Sequence, residues 1–240
     1  MDVLPINIKM SRVCLEPGHE FFMGKHPVTQ EEWRVVATEL PRVKYDLNPN
    51  PSAFTVENQP NKEYEWFEKR PNRESPRILS TDLHPVEQVT WLEAVEFCQR
   101  ISKATGLPFR LPSEAKMEAV CKAAATSPFS IDPLNFKKEE TRTIEVIDYN
   151  DYVSCYLSIE GEYRDGTVPV KTADVNIWGL YDLHSNVWEW CEDSSNNGSS
   201  RILRGISSEY SILRSSYPPE KSLNSIGFRV CCSCNPCERE

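Results

Sequence analysis

An α+β domain rich in irregular backbone is the architecture this sequence predicts, and three observations predict it. Two capping boxes, Thr29-Gln-Glu-Glu32 and Thr90-Trp-Leu-Glu93, each stand ahead of apolar residues at helical spacing. The last third reads instead as short strands, at Val187 to Cys191, Arg201 to Arg204 and Ile226 to Cys232. Between these regions lie long stretches of proline, asparagine and charge without a sustained period. Two to three amphipathic helices on short antiparallel strands follow, with many loops.

In chain order, Phe21-Phe-Met-Gly24 reads as a short strand closing in a turn. Thr29 caps a helix whose Trp33, Val36, Ala37 and Leu40 share one face, and Pro41 ends it. Residues 41–85 have no period; so long a stretch in a compact domain is a surface excursion or a ligand-facing loop. The second helix starts at Thr90, turns Trp91, Ala94, Val95, Cys98 and Ile101 to one side, and stops at Gly106. Leu107 to Pro112 is an extended link, and Ser113 caps a third helix with Met117, Val120, Cys121 and Ala124 inward. Residues 126–175 are turn-rich, with strand candidates at Thr143–Ile147 and Thr167–Val170, while Gly205–Ser225 is mixed and without clear period. No repeat and no linker composition appears, so residues 1–232 read as one domain and 233–240 as a cysteine-containing tail.

Composition sets the outer bounds. The 240 residues are 39% hydrophobic and 10% aromatic, enough for a core, and the net charge of −9 argues against nucleic acid as a partner. The start, Met1-Asp-Val-Leu-Pro5, lacks a signal peptide's pattern, no apolar segment precedes Cys14, and no stretch reaches the length of a membrane span. The expectation is a cytoplasmic monomer. Of nine cysteines, Cys14, Cys98, Cys121, Cys155 and Cys191 are scattered singly and read as buried thiols.

The densest stretch is Asn176–Asp193, where Trp178, Tyr181, Trp188 and Trp190 stand among Asp182, Glu189, Glu192 and Asp193. Aromatic area of this kind gives a small sheet its core, and carboxylates beside it need a cation or a donor. Glu192 and Asp193 read as solvated.

Seven segments carry a resemblance. They are Pro27-Val-Thr-Gln30, His84-Pro-Val-Glu-Gln-Val-Thr-Trp91 with Ala94, Phe97 and Cys98, Phe109-Arg-Leu-Pro-Ser-Glu114, Gly179-Leu-Tyr-Asp-Leu-His-Ser-Asn-Val-Trp-Glu-Trp190, Leu203-Arg-Gly205, Arg214-Ser-Ser-Tyr217 and Ile226-Gly-Phe-Arg-Val230. In this order they resemble the formylglycine-generating enzyme (sulfatase-modifying factor) family, from about Phe21 to Val230. The resemblance implies a C-type-lectin-like fold. It also implies a chemistry, oxidation of a substrate cysteine by two enzyme cysteines that bind copper(I) and lie between the Gly-Gly-Ser strand and the closing Gly-Phe-Arg strand. Soft thiolates are what copper(I) requires. The corresponding interval here, Gly205 to Val230, contains no cysteine. Nor do the four histidines offer a counterpart to the iron ligands of the related sulfoxide-forming oxygenases. Catalysis of the family type is therefore not expected; an oxidase with non-standard metal ligands is the alternative.

The chain is also similar to the variable proteins of bacterial diversity-generating retroelements, which use this scaffold and rewrite a C-terminal segment ending near Ile-Gly-Phe-Arg-Val. Arg204-Gly-Ile-Ser-Ser208 stands where the common opening is Arg-Gly-Gly-Ser-Trp. Ile206, Ser208, Tyr210, Tyr217, Leu223 and Asn224 are reachable from asparagine codons by changing adenines, whereas Glu209 and Glu220 are not. The resemblance implies a hypervariable ligand-binding surface for a protein or other macromolecule, at Ile206, Ser208, Glu209, Tyr210, Ile212, Leu213, Tyr217, Pro218, Pro219, Leu223 and Asn224. Exposed tyrosine suits such a role because it offers large amphipathic area at low entropic cost. A domain of fixed specificity, accessory to another protein, is the bland alternative.

Two metal questions remain. The resemblance implies a structural calcium held by the side chains of Asp182 and Glu189 and the carbonyls of Ser185 and Val187; no cofactor is expected to be required. At the end of the chain, Cys231, Cys232, Cys234 and Cys237 contain a Cys-x-x-Cys, half of a zinc site, but the other half is crowded; a disulfide is the competing chemistry.

Overall fold

Among the described residues, three helices and eight short strands form around one crossing point at residues 226–232. The computed structural model describes residues 6, 8–57, 80–125, 166–171, 175–183, 186–195, 197–205 and 213–233. Along the chain run β1 (Met10–Glu16), β2 (His19–Gly24), α1 (Gln30–Glu39), α2 (Trp91–Thr105), β3 (Phe109–Arg110), α3 (Glu114–Ala125), β4 (Trp188–Ser194), β5 (Arg201–Gly205), β6 (Leu213–Tyr217), β7 (Ile226–Gly227) and β8 (Cys231–Cys232). Among the described residues one sheet has the order β1-β2-β8-β3 and the other β6-β5-β4-β7.

The α+β class and the three helices agree with the sequence reading, for local reasons. Both capping boxes form: Thr29 and Thr90 each accept from the amide three residues on, and Glu32 and Glu93 reach back to the cap. Gly106 ends α2 in the left-handed region, at φ 67°. The end of α1 has no such glycine. Instead Arg100 of α2 donates to the carbonyls of Ala37 at 3.1 Å and Leu40 at 3.2 Å, satisfying the orphaned acceptors of the last turn.

The strands depart from expectation in four ways. Pairing is not wholly antiparallel, because β4 and β7 run parallel. The stretch Ile226–Cys232 is two strands in different sheets, not one. Its middle crosses from sheet to sheet, with Phe228 accepting from the Val28 amide and Val230 from the Gly24 amide, each at 2.8 Å. A side chain at Gly227 would bring a Cβ within 2.5 Å of the Val86 carbonyl, so the crossing requires a bare backbone there. Thr167–Val170 is not a strand, and Thr143–Ile147 lies outside the described residues. Conversely, β1 and β6 form where no strand was read.

Two apolar clusters lie on opposite faces of the second sheet. Trp188, Trp190 and Leu203 join α1 and α2, where Trp33 stacks on Phe97 at 5.6 Å and Phe228 meets both edge-on. Cys191 and Ile202 face the other way, toward Met117, Val120 and Cys121 of α3.

The described part of the long 41–85 stretch is held by buried carboxylates. Glu96, fully buried, accepts from the amides of Val43, Lys44 and Tyr45 and pairs with Arg100 at 2.8 Å. Burial pushes its carboxyl up, but the guanidinium and three amides outweigh that and hold it below the usual range. Glu87 does the same for Ala53 and Phe54 at 3.2 and 3.0 Å. Its carboxyl, buried and held by amide and hydroxyl partners, is pushed up by burial to about 7.

Two outcomes are expected. Glu96→Ala strands the Arg100 guanidinium in the core and lowers the unfolding free energy by about 3–5 kcal/mol, measured by urea denaturation. Glu87 has a folded value above its ordinary 4.5, so its contribution to stability is present at low pH and lost as pH rises through about 7. The stability difference between the native chain and Glu87→Gln should therefore shift against the native chain as pH rises across that window.

Candidate functional site

Strand alternation in β4 sends Trp188 and Trp190 to one core and Glu189 and Cys191 to the other. The Trp190 indole donates to the Val89 carbonyl at 3.0 Å, which ties β4 to the start of α2. Glu189 is 1% exposed and faces Arg229, which has no exposed surface. The contact is bidentate, Nε to Oε2 at 2.6 Å and Nη2 to Oε1 at 2.7 Å. Arg229 also donates to the carbonyls of Gly24 at 3.3 Å and Tyr181 at 3.0 Å. Burial pushes the Glu189 carboxyl up, and the Arg229 charge opposes it.

Asp182 is equally buried, with φ 56°, and its Oδ2 accepts from the Lys171 amide at 2.7 Å. Its charge acts on both Glu189 and Arg229. Asn186 also has positive φ, and its amide bonds both backbone groups of Val168, at 3.1 and 2.9 Å. Ser185 lies outside the described residues. The Asp182 and Glu189 oxygens are hard donors, and each carboxylate oxygen has two lone pairs. The side chains thus fit a calcium ion in kind, with the difference that Arg229 already gives Glu189 a cation.

The C-terminal surface divides on inspection. Ile206, Ser208, Glu209, Tyr210 and Ile212 lie outside the described residues. Leu213 opens β6 opposite Gly205. Pro218 and Asn224 are exposed. Tyr217 and Leu223 are half-buried and pack against the core of α1 and α2, so they anchor the surface as much as they present it. Pro219 is half-buried, and its carbonyl accepts from the Trp91 amide at 3.1 Å, as that of Leu223 accepts from Gln88 at 3.0 Å. The turn between β6 and β7 is thereby tethered through its backbone.

Two side chains on this surface were not singled out as contacts. Arg214 and Ser216 point outward, while Ser215 and Tyr217 point inward. Once Tyr217 is placed on the core, the period of two puts both outside. Asp193 corrects the sequence reading. It is not simply solvated, because its Oδ2 accepts from the Glu114 amide at 2.5 Å at the first turn of α3. Glu192 is exposed, as expected.

The cysteines are mostly core. Cys98, Cys121, Cys191, Cys231 and Cys232 are buried, Cys14 is exposed, and Cys155, Cys234 and Cys237 lie outside the described residues. Burial pushes the thiols of Cys98, Cys191 and Cys231 up and that of Cys121 to about 12. Thiols in that state are poor metal ligands and poor nucleophiles. Cys231 and Cys232 belong to β8, paired between β2 and β3, and both side chains are buried there. No helix among the described residues is long and apolar enough to cross a membrane.

Comparison with known proteins places this geometry. A family profile described as "Sulfatase-modifying factor enzyme 1-like domain" matches residues 12–233. Formylglycine-generating enzyme of Mus musculus is 26% identical over 188 residues, 67% of this chain and 47% of that protein. Serine/threonine-protein kinase pkn1 of Chlamydia caviae is 28% identical over 178 residues, 73% of this chain and 23% of the kinase. The chain thus spans less than half the length of either relative. The structure of Treponema denticola variable protein 1 superposes with a TM-score of 0.64 over 97% of this chain and 98% of that one, at 21% identity. The fold is the C-type-lectin-like α+β fold that the motifs implied.

Arg229→Met, which leaves Glu189 buried without its cation, is expected to cost about 3–5 kcal/mol in denaturant unfolding. The double variant Glu189→Met, Arg229→Met should recover much of that loss, because no unpaired charge remains.

Proposed function

Since the chain belongs to the sulfatase-modifying factor enzyme 1-like family, we propose that it is a non-catalytic, ligand-binding member of it. Its C-terminal surface, from the end of β5 through the turn before β7, would meet a macromolecular target, a protein in the first place.

One observation carries this reading. The family reaction, as the motifs imply it, needs two copper(I)-binding thiolates between Gly205 and Val230, and that interval has no cysteine. Burial raises the thiols of Cys98, Cys121 and Cys191, which disfavours their thiolate form in the unliganded chain. Geometry favours binding in their place. The Pro218–Asn224 turn is fixed by its backbone carbonyls, so exposed side chains such as Pro218 and Asn224 are free to vary without loss of a core contact. The likeness to a variable protein supports a scaffold suited to this use and says nothing of the target.

Diversification of this surface by a retroelement is part of the proposal. The kinase relative favours a second reading, a fixed-specificity accessory domain, because there the matched stretch is a minor part of a larger protein. A structural calcium would be held by Asp182, Glu189 and the carbonyls of Ser185 and Val187. It would contribute charge to the scaffold and take no part in chemistry.

The purified chain, given copper(I), oxygen and a cysteine-containing peptide, is expected to form no aldehyde; aldehyde formation would overturn the non-catalytic reading. In the genome, a near-copy of the codons for about Leu203 to Val230 is expected beside a reverse transcriptase gene, differing only opposite template adenines. Absence of that copy would decide for fixed specificity.

A further inference from the structure

The pairing of β5 with β6 sets Arg204 directly opposite Arg214. Like charges at facing positions of an antiparallel pair repel, so this rung, one before the last at Gly205 and Leu213, calls for a counter-charge. Glu114, the first residue of α3, lies against both. Its Oε1 accepts from Arg204 Nη2 at 2.5 Å and from Arg214 Nε at 2.6 Å, and its Oε2 accepts from Arg214 Nη2 at 3.4 Å. Glu118, one turn on, stands 3.8 Å from Arg204 but is paired with Lys122 at 2.9 Å. The carboxylate bridging the two arginines is therefore that of Glu114. Its side chain is 20% exposed and that of Arg204 10%, so water screens the contact weakly on the inner side. The clamp is anchored in turn by Asp193 at the end of β4, which holds the Glu114 amide.

We infer that Glu114 is a positioning residue for the binding strand, locking β6 to β5 in one register so that Arg214, Ser216 and Pro218 keep facing outward. Its importance for recognition rests on the binding reading given above; the clamp itself does not. Neither Glu114 nor Arg204 lies among the positions expected to vary, so the side chains beyond can change while the strand stays in place. Charge-assisted contacts shared by two strands suit that task, because they fix direction as well as distance.

The test is hydrogen exchange on the full chain. Glu114→Gln should lower the protection of the β6 amides about tenfold, the size expected when a charge-assisted hydrogen bond is lost, and leave α2 unchanged. Adding Arg214→Gln to that variant should restore protection by removing the repulsion, whereas Arg214→Gln alone should not raise it. Equal loss in β6 and α2, or no recovery in the double variant, overturns the inference. Should Glu114→Gln alone fail to fold, the double variant is compared with Arg214→Gln; similar β6 protection in the two is expected, and a clear further loss in the double variant overturns the inference. A chain that forms the aldehyde yet shows this exchange pattern would sink the binding reading and leave the clamp standing.

Discussion

Arg229 has no exposed surface and makes four hydrogen bonds, two of them to Glu189. It sits in the middle of the crossing between β7 and β8, so one guanidinium connects the second sheet through Glu189, the first through Gly24, and the aromatic stretch through Tyr181. Burying a pair of charges is costly, and such pairs stabilise only where geometry and remaining hydrogen bonds are complete. Here they are nearly so. The consequence is specificity of arrangement: an apolar pair would fill the space, but it would not say which strand belongs beside which.

The same device recurs in smaller form through the molecule. Glu96, Glu87, Asp182 and Asp193 all accept backbone amides from residues distant in sequence. A fold with so much irregular backbone must satisfy those amides somehow, because an orphaned buried donor costs as much as a lost hydrogen bond. The acidic side chains of this chain are, in these places, parts of its scaffold. That alters how its carboxylates should be read, since a buried acid with a raised value, such as Glu87, is holding a loop and need not be a general acid.

A scaffold so internally bonded leaves its C-terminal surface with little structural work. Tyr217 and Leu223 lean on the core, the intervening turn is tied by carbonyls, and Glu114 bridges β5 and β6 at Arg204 and Arg214. What remains outward is a short row of side chains on a rigid support, the usual arrangement for binding surfaces. Under the reading proposed above, the cysteine-free interval and this row belong to one account, in which the family scaffold serves binding.

What depends on neighbours a few residues away can be read along the chain. Both capping boxes, the Gly106 stop, the inward faces of the helices and the strands around Trp188 and Leu203 were all legible, as were the ordered motifs and the absence of cysteine before Val230. Of the surface residues, Pro218 and Asn224 were legible as exposed, while the partial burial of Tyr217 and Leu223 was not, since a lone aromatic or leucine in a polar segment carries no period. The rest depends on long-range packing. The edge strands β1 and β6 bury too little to pattern their sequence, and the single strand read over Ile226–Cys232 divides into β7 and β8, two residues each, whose separate sheets show only in their partners. The aromatic stretch around Glu189 shows the division most clearly. Its aromatics announced a core, but the partner of its buried acid lies 40 residues on, and Asp193 meets an amide 79 residues back. Such contacts are fixed by packing, which no local pattern encodes.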